Sequence, residues 1–171
     1  WITIADFQNK KEFIKYGYDE LDSVYAPINK IHSLMKPIKL KLKNSNGEYV
    51  DNHPILDILK IPNERQTWND ILGFYIGFKK TTGNFYLFAE RVSEEGEPIG
   101  LYVLPSQYTE VMVSDNQTIY NPTLEGYKLT FNSYNLKFRK EDVVHISETN
   151  LNVSNDASLF YGQSPLRPLA R

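Results

Sequence analysis

The sequence predicts an α+β domain in which N-terminal helices pack on a mainly antiparallel β-sheet. Before Gly83, apolar residues recur at the three-and-four spacing of helices. After Gly83, short runs of β-branched and aromatic residues alternate with turn residues. The chain has 171 residues, of which 41% are hydrophobic, and this is enough apolar material to fill one core. We therefore expect residues 1–171 to form a single domain.

The strongest helix pattern ends at Pro37, which cannot continue a helix. The residues that share its apolar face are Leu21, Val24, Tyr25, Ile28, Ile31, His32 and Met35. A stripe of this width indicates a helix that lies against the core.

The pattern then changes to a period of two, which predicts a strand that ends at the turn Asn46-Gly47. Its apolar residues are Ile38, Leu40 and Leu42, and the residues that alternate with them are Lys39, Lys41 and Lys43. This lysine row, with Lys36 just before it, could contact phosphates. It could equally be a solvated strand face that discourages aggregation, and the absence of a net positive charge favours that interpretation.

A short helix is expected to begin at Pro54, with Asn52 or His53 as its cap, and to end before Pro62-Asn63. Its expected buried residues are Ile55, Leu56, Ile58 and Leu59.

A longer helix should follow, opened by a capping-box variant from Thr67 to Asp70 and ended by Gly83. Its expected stripe is Trp68, Ile71, Leu72, Tyr75, Ile76 and Lys79. Gly73 and Gly77 lie one turn apart on another face. Because glycine destabilises a helix interior, this pair indicates a second backbone passing close by.

The remainder of the chain predicts strands separated by glycine, proline, asparagine and acidic turns. The expected strands cover residues 85–92, 100–104, 110–114, 118–120, 127–132 and 143–147. Near the end, Ser164 suits the N-cap of a further helix and Pro165 suits its first position. Few residues follow, and the chain begins with Trp1 rather than methionine, so we expect a module of a longer polypeptide.

Composition restricts the possible functions. The 19 Lys and Arg against 21 Asp and Glu lack the excess charge of a dedicated nucleic-acid-binding domain. The absence of cysteine excludes a disulfide scaffold and thiolate metal sites. No stretch is apolar for long enough to suggest a membrane span.

Residue patterns for catalysis are weak, and we predict no catalytic, cofactor-binding or metal-binding residue. The three histidines lack the short spacings of metal motifs. His32 lies on an apolar stripe and is interpreted as a core or subunit-contact residue, and His53 as a cap. His145 should lie on the face of its strand opposite Val144 and Ile146, with no partner evident for general-base chemistry.

Taken in order, several motifs from about Leu21 to Leu166 resemble the portal proteins of tailed bacteriophages, the head–tail connector family. They begin with the Val24–Ile31 helix and the Pro37–Leu40 strand. They continue through His-Pro, paired leucines, Pro-Asn, Thr-Trp, Gly-Asn-Phe-Tyr, Leu-Tyr-Val-Leu-Pro, Glu-Asp-Val-Val-His-Ile and Tyr-Gly-Gln-Ser-Pro-Leu. The matching positions include His53, Pro54, Pro62, Asn63, Trp68, Gly83, Asn84, Pro105, His145, Gly162, Ser164 and Pro165. Phe85 departs from the family's frequent alanine, and Pro168 falls where it would bend the last helix.

The resemblance implies a non-enzymatic structural subunit of a dodecameric ring at one capsid vertex, the channel for packaging and ejecting double-stranded DNA. This module would be the N-terminal part of the wing region, with the stem, clip and crown elsewhere in the natural chain. Implied partners are other copies of itself, terminase, the major capsid protein, head-completion adaptor proteins and passing DNA, with no membrane and no cofactor. The implied location is the virion, and the host cytoplasm during assembly.

Two alternatives remain open from the residues. One is another virion or surface module that binds carbohydrate through exposed tyrosines. The other is a hydrolase that uses His145 with Asp142, Glu141 or Glu148.

Overall fold

The computed structural model describes residues 10–114, 123–152 and 159–169. Helices dominate the first half of the chain. They are α1 (Lys10–Glu12), which continues as a π-helix (Phe13–Tyr18), then α2 (Asp22–Met35), α3 (Pro54–Lys60) and α4 (Trp68–Thr82). Short 3₁₀ turns lie at Ser106–Tyr108, Lys140–Asp142 and Arg167–Leu169.

The strands form three antiparallel groups. They are β1 (Leu42–Lys43), β2 (Tyr49–Val50), β3 (Asn84–Arg91), β4 (Pro98–Leu104), β5 (Thr109–Val113), β6 (Leu124–Phe131), β7 (Tyr134–Arg139) and β8 (Val143–Ser147). β1 and β2 form a small hairpin, and two three-stranded sheets have the orders β4-β3-β8 and β5-β6-β7. The predicted α+β class is confirmed, although the strands divide between two sheets instead of forming one.

Two apolar clusters hold these elements together. The first lies among the helices and consists of Phe13, Val24, Ile28, Ile76 and Leu166. The second lies between the two sheets and consists of Tyr86, Leu104, Val111, Tyr127 and Val143. Helix α4 leads from the first cluster into β3, whose Tyr86 belongs to the second, so the Gly83 turn joins the two.

Helix α4 begins with the predicted capping box. The Thr67 backbone N–H donates to Asp70 Oδ2 at 2.8 Å, and the Asp70 N–H donates to Thr67 Oγ1 at 3.4 Å. These bonds satisfy N–H groups that have no partner within the helix. The Thr67 backbone and then its hydroxyl hydrogen bond lower the pKa of the Asp70 carboxyl. This stabilisation is present at neutral pH and is lost as the pH falls through that lowered pKa.

We expect Thr67→Ala to lower the free energy of unfolding by about 1 kcal/mol, the usual contribution of such a cap. In a chain of this size, that corresponds to a fall in melting temperature of about 2–4 °C. Circular dichroism melts at neutral pH measure it, with Thr149→Ala at an exposed loop position as the control. Equal melting temperatures for the two variants would contradict the role of the box.

The predicted apolar stripe of α2 is only partly buried. Val24 and Ile28 are buried, whereas Tyr25 is 48% exposed and Ile31 is 39% exposed. The helix packs mainly on α4 and on the π-helix, and this packing leaves Tyr25 and Ile31 partly exposed. The stripe is therefore broader than the face that the described chain covers.

The prediction of a strand from Ile38 to Lys43 is wrong for most of these residues. Only Leu42 and Lys43 pair, with Val50 and Tyr49 respectively. A strand needs a partner, and β2 ends at Val50 because the chain then turns toward α3. The turn between them is closed by Asn44 Oδ1, which accepts from the N–H groups of residues 46 and 48.

Helix α3 begins at Pro54 as predicted, and His53 Nδ1 accepts from the Ile55 N–H at 3.2 Å. His53 is therefore the cap, and Asn52 is not. The predicted burial of Ile55 is wrong, since it is 46% exposed. Leu56, Ile58 and Leu59 are only partly buried, because α3 lies at the margin of the fold.

The prediction that a second backbone passes close to Gly73 and Gly77 is wrong. A Cβ on Gly73 would lie 2.9 Å from His32 Cε1, a side-chain atom, and one on Gly77 would meet nothing within 4 Å. The close backbone approach occurs at Gly83, where a Cβ would lie 2.5 Å from the Gln163 carbonyl carbon. Gly83 also ends α4 as predicted, with a φ of 77°.

The predicted β-strands agree with the structure within a few residues, except in two places. β7 (Tyr134–Arg139) was missed, and the strand expected over residues 118–120 lies outside the described residues. β7 alternates the apolar residues Tyr134, Leu136 and Phe138 with polar residues, and its apolar face is largely uncovered, with Tyr134 68% and Leu136 49% exposed. This period of two is the pattern of a strand, so β7 could have been predicted from the sequence.

Candidate functional site

Three distant segments meet at the side chain of Asn84, at the start of β3. Asn84 and its neighbour Gly83 follow α4, His145 lies on the paired strand β8, and Gly162 lies in the C-terminal segment. We call Asn84, His145 and Gly162 the Asn84 junction. All three were family-matching positions in the sequence, and the structure brings them together.

The Asn84 side chain is fully buried and uses both of its polar atoms. Its Oδ1 accepts from the Gly162 N–H at 2.7 Å, and its Nδ2 donates to the carbonyls of Thr82 at 2.9 Å and Gly162 at 3.1 Å. One amide therefore ties the end of α4 to the C-terminal segment. The Glu148 N–H also donates to the Gly83 carbonyl at 2.8 Å, which adds the end of β8 to the same junction.

His145 completes the junction from β8. Its Nε2 lies 3.1 Å from Asn84 Oδ1. Because Oδ1 can only accept, Nε2 carries the proton and donates. The imidazole stacks on Tyr86 with ring centroids 4.2 Å apart. Burial, and then the nearby Lys10 cation, lowers the pKa of His145 from 6.5 to about 4.

The stability of the domain should therefore depend on pH through His145. Its pKa is lower in the folded state, so the unfolded chain takes up the proton first and stability falls as pH drops from 6.5 toward 4. We expect the urea midpoint of the wild type to decrease over this range and that of His145→Gln to decrease less. Equal pH dependence in the two proteins would refute the neutral, buried state of His145.

Lys10 approaches the junction from α1. Its Nζ donates to the Thr109 carbonyl at 2.9 Å and lies 4.2 Å from the centroid of the Tyr161 ring. Burial lowers the pKa of Lys10 to about 8, against the opposing effect of Glu110. Lys10 was not predicted as a contact of this junction, since a single lysine before the region of family similarity carries no local signal.

The C-terminal segment docks through Ser164. Its hydroxyl donates to the Thr81 carbonyl and accepts from the Leu166 N–H at 3.1 Å. Ser164 thus caps a turn, with Pro165 following it, and not the predicted helix. In place of the expected α-helix, however, the described residues contain a 3₁₀ turn over Arg167–Leu169.

The Pro-Asn motif anchors the loop between α3 and α4 on the outer edge of β4. The Pro62 carbonyl accepts from the Leu101 N–H at 2.8 Å, and Asn63 Nδ2 donates to the Leu101 carbonyl at 2.7 Å. The loop thereby satisfies backbone groups that an edge strand would otherwise leave unpaired. Pro105 acts at the other end of β4, where its carbonyl accepts from the Thr109 hydroxyl at 2.8 Å.

The other residues singled out from the sequence are not part of the Asn84 junction and do not form one common cluster. His32 Nε2 lies 2.9 Å from the Asn69 carbonyl, between α2 and α4. Trp68 faces a groove together with Lys39 and Lys41. Phe85, which replaces the family's frequent alanine, is buried and packs edge-on against Tyr75 at 5.3 Å.

The geometry gives no support to hydrolysis at His145. Asp142 pairs with Arg91 at 3.1 Å and with Arg139 at 2.8 Å. Glu148 pairs with Lys80 at 2.9 Å. Within the described ranges no hydrogen bond or ion pair joins His145 to a carboxylate, so the junction can hold segments together but has no paired base.

The described part of the chain shows neither a metal-binding cluster nor a helix suited to a membrane span. No group of three or more His, Cys, Asp or Glu side chains is arranged to hold a metal ion there. None of the described helices has both the length and the apolar character needed to cross a membrane.

Comparison with known proteins gives a consistent result. An uncharacterized protein of Rickettsia bellii (strain RML369-C) is 28% identical over 152 residues, which cover 88% of this chain and 37% of the relative. The neck of an empty gene transfer agent particle, computed with C6 symmetry, matches with a TM-score of 0.77 at 21% identity, over 95% of this chain and 41% of that chain. The neck of the native particle, computed with C12 symmetry, matches with a TM-score of 0.73 at 20% identity, over 95% of this chain and 40% of that chain.

At these identities the two neck structures show a shared fold. The chain spans about two fifths of the length of the relatives that it matches. A family model described as phage portal protein matches residues 22–171, which is most of the chain. With this match over nearly its whole length, the chain belongs to the phage portal protein family.

Proposed function

We propose that this chain is the N-terminal wing part of a structural subunit that forms the portal ring at one vertex of a phage capsid. Residues 1–171 form a single domain of the subunit, and the stem, clip and crown belong to other parts of the natural polypeptide. The ring provides the channel through which double-stranded DNA is packaged and ejected, and it attaches the head to the tail.

The observation that carries this proposal is the convergence of three family-matching residues, Asn84, His145 and Gly162, at the Asn84 junction. These residues form hydrogen bonds between distant segments of the chain. A rigid structural subunit needs such bonds to hold its segments in place. The subunit needs no cofactor and performs no reaction of its own. The near-neutral charge of the chain also suits a channel, since passing DNA would bind tightly to a basic surface.

Ring formation is supported by the symmetry of the matching neck particles, computed with C12 and C6 symmetry. A closed ring of identical subunits uses two different complementary faces on each copy. We propose twelve copies, with terminase, the major capsid protein and adaptor proteins binding the complete ring. The assembled ring belongs to the virion, and its subunits assemble in the host cytoplasm.

The test is electron microscopy and native mass spectrometry of the full-length natural protein. We expect closed rings of twelve subunits with a central channel. A monomer that turns over a small molecule would refute the proposal. Sugar-dependent binding without ring formation would favour the carbohydrate-binding alternative.

A further inference from the structure

A groove of about 430 Å³ opens between the β1–β2 hairpin and helix α3. Its apolar lining includes Ile38, Leu40, Leu42, Leu56, Leu59 and Trp68. Its cationic side chains are Lys39, Lys41 and Lys60, and a single carboxylate, Asp51, also lines it. We call this surface the lysine groove.

The lysine groove is exposed in the single chain. Ile38 is 54% exposed, Leu40 is 47% exposed and Tyr49 is 59% exposed. The ammonium groups of Lys41 and Lys43 lie 4.9 Å and 4.8 Å from the centroid of the Tyr49 ring, which positions both cations at this hairpin. An apolar surface bordered by cations fits a partner that is both apolar and acidic.

The chain itself carries a surface of that kind at the turn between β3 and β4. This acidic hairpin contains Glu94, Glu95 and Glu97, and apolar residues flank the glutamates on both sides. Val92 is 84% exposed and Ile99 is 59% exposed. The acidic hairpin therefore combines negative charge with uncovered apolar side chains.

An ion-pair network fixes the shape of the acidic hairpin. Arg91 donates to the Gly96 carbonyl and pairs with Asp142 at 3.1 Å. Arg139 pairs with the same Asp142 at 2.8 Å and with Glu94 at 2.8 Å. The Asp142 side chain is only 12% exposed, so this anchor is well shielded from water. A hairpin held in this way loses little conformational freedom when it binds.

Two glutamates remain available for a partner. Glu95 and Glu97 are exposed and make no ion pair with any residue in the described ranges. Asp142 and Arg139 hold the hairpin toward the β8 side of the sheet, whereas the loop that follows α3 lies on the outer edge of β4. No hydrogen bond or ion pair among the described residues joins the acidic hairpin to the lysine groove of the same chain.

We propose that the acidic hairpin of one subunit docks into the lysine groove of the next subunit around the ring. This inference rests on the proposed function. A ring needs a head-to-tail interface between unlike surfaces, and these two are complementary in both charge and apolar character. Glu95 and Glu97 face Lys39 and Lys41 across the interface, and Val92 and Ile99 cover the exposed apolar lining.

The test uses charge reversal in the full-length protein. Lys39→Glu with Lys41→Glu should raise the concentration needed for ring assembly by at least about tenfold, because like charges then meet in the interface. Glu95→Lys with Glu97→Lys should do the same from the other side. All four positions are exposed, so folding, monitored by circular dichroism, should be unchanged. Lys30→Glu with Lys137→Glu, at exposed positions outside the groove, is the matched control and should assemble normally.

Mixing the groove variant with the hairpin variant gives the most specific test of the proposed contact. In an equimolar mixture each reversed groove can receive a reversed hairpin, and each native groove can receive a native hairpin. At a concentration where the wild type assembles but below the raised threshold of the two variants, neither variant should form rings alone, and the mixture should form rings with alternating subunits, detected by native mass spectrometry. Combining all four substitutions in one chain should also restore assembly.

The outcomes separate this inference from the proposed function. If the wild type forms rings and the reversed variants assemble equally well, the docking contact is wrong while the portal function stands. If the wild type forms no rings, the proposed function fails. Loss of duplex DNA retention without loss of assembly in the Lys39 and Lys41 variant would refute docking and favour phosphate contacts by the row of Lys36, Lys39, Lys41 and Lys43.

Discussion

Replacing Gly162 with alanine should strongly destabilise this domain. A Cβ at this position would collide with the Gly83 carbonyl oxygen and would lie 2.5 Å from the Glu148 backbone nitrogen. Both neighbours are backbone atoms, and the Glu148 N–H and the Gly83 carbonyl are themselves hydrogen bonded at 2.8 Å. Neither can move without breaking the junction. We expect a loss of about 3–5 kcal/mol in the free energy of unfolding, the range of the most damaging substitutions.

Gly77→Ala is the matched control for Gly162→Ala. Gly77 lies inside α4, and an added Cβ there would meet nothing within 4 Å. The same change in a helix interior should raise the free energy of unfolding by up to about 1 kcal/mol, because alanine restricts the unfolded chain. Urea unfolding of both variants measures the effect. Similar stability for Gly162→Ala and the wild type would show that the C-terminal segment does not dock as described.

Features encoded within a few residues could be predicted from the sequence. The capping box of Thr67 and Asp70, the start of α3 at Pro54 and the end of α4 at Gly83 all depend on side chains close to the backbone groups that they serve. Strand positions after Gly83 were also predictable, because β3 and β8 keep apolar residues in short runs between turns. Local chemistry was sufficient for these elements.

Features that depend on distant partners could not be predicted. Ile38 and Leu40 have the alternation of a strand, but β2 is too short to pair with them. The pair Gly73 and Gly77 predicted a second backbone close by, but in the fold Gly73 meets the His32 side chain and Gly77 meets nothing within 4 Å. Family motifs identified Asn84 and Gly162 as related positions without revealing that they share hydrogen bonds across 78 residues of sequence.

Asn84→Ala should cause the second large loss of stability. Removing the side chain leaves the Gly162 N–H and the His145 Nε2–H without their acceptor, and the Thr82 carbonyl without its donor. Each buried polar group that loses its partner costs about 1–3 kcal/mol. Because the site is fully buried, water cannot replace the bonds without opening the junction. We expect a total loss on the order of 3–5 kcal/mol.

The control for Asn84→Ala is Asn135→Ala, since Asn135 is exposed and its amide oxygen accepts only the Thr130 hydroxyl among the described residues, at 3.2 Å. That change should alter the free energy of unfolding by less than about 0.5 kcal/mol. Hydrogen exchange gives a second, site-specific measurement, because the Gly162 amide should lose its protection in Asn84→Ala and keep it in Asn135→Ala. Unchanged protection of Gly162 would mean that another group accepts its N–H. If both measurements follow the expectation, the rigidity of this portal subunit depends on one buried amide that joins α4, β8 and the C-terminal segment.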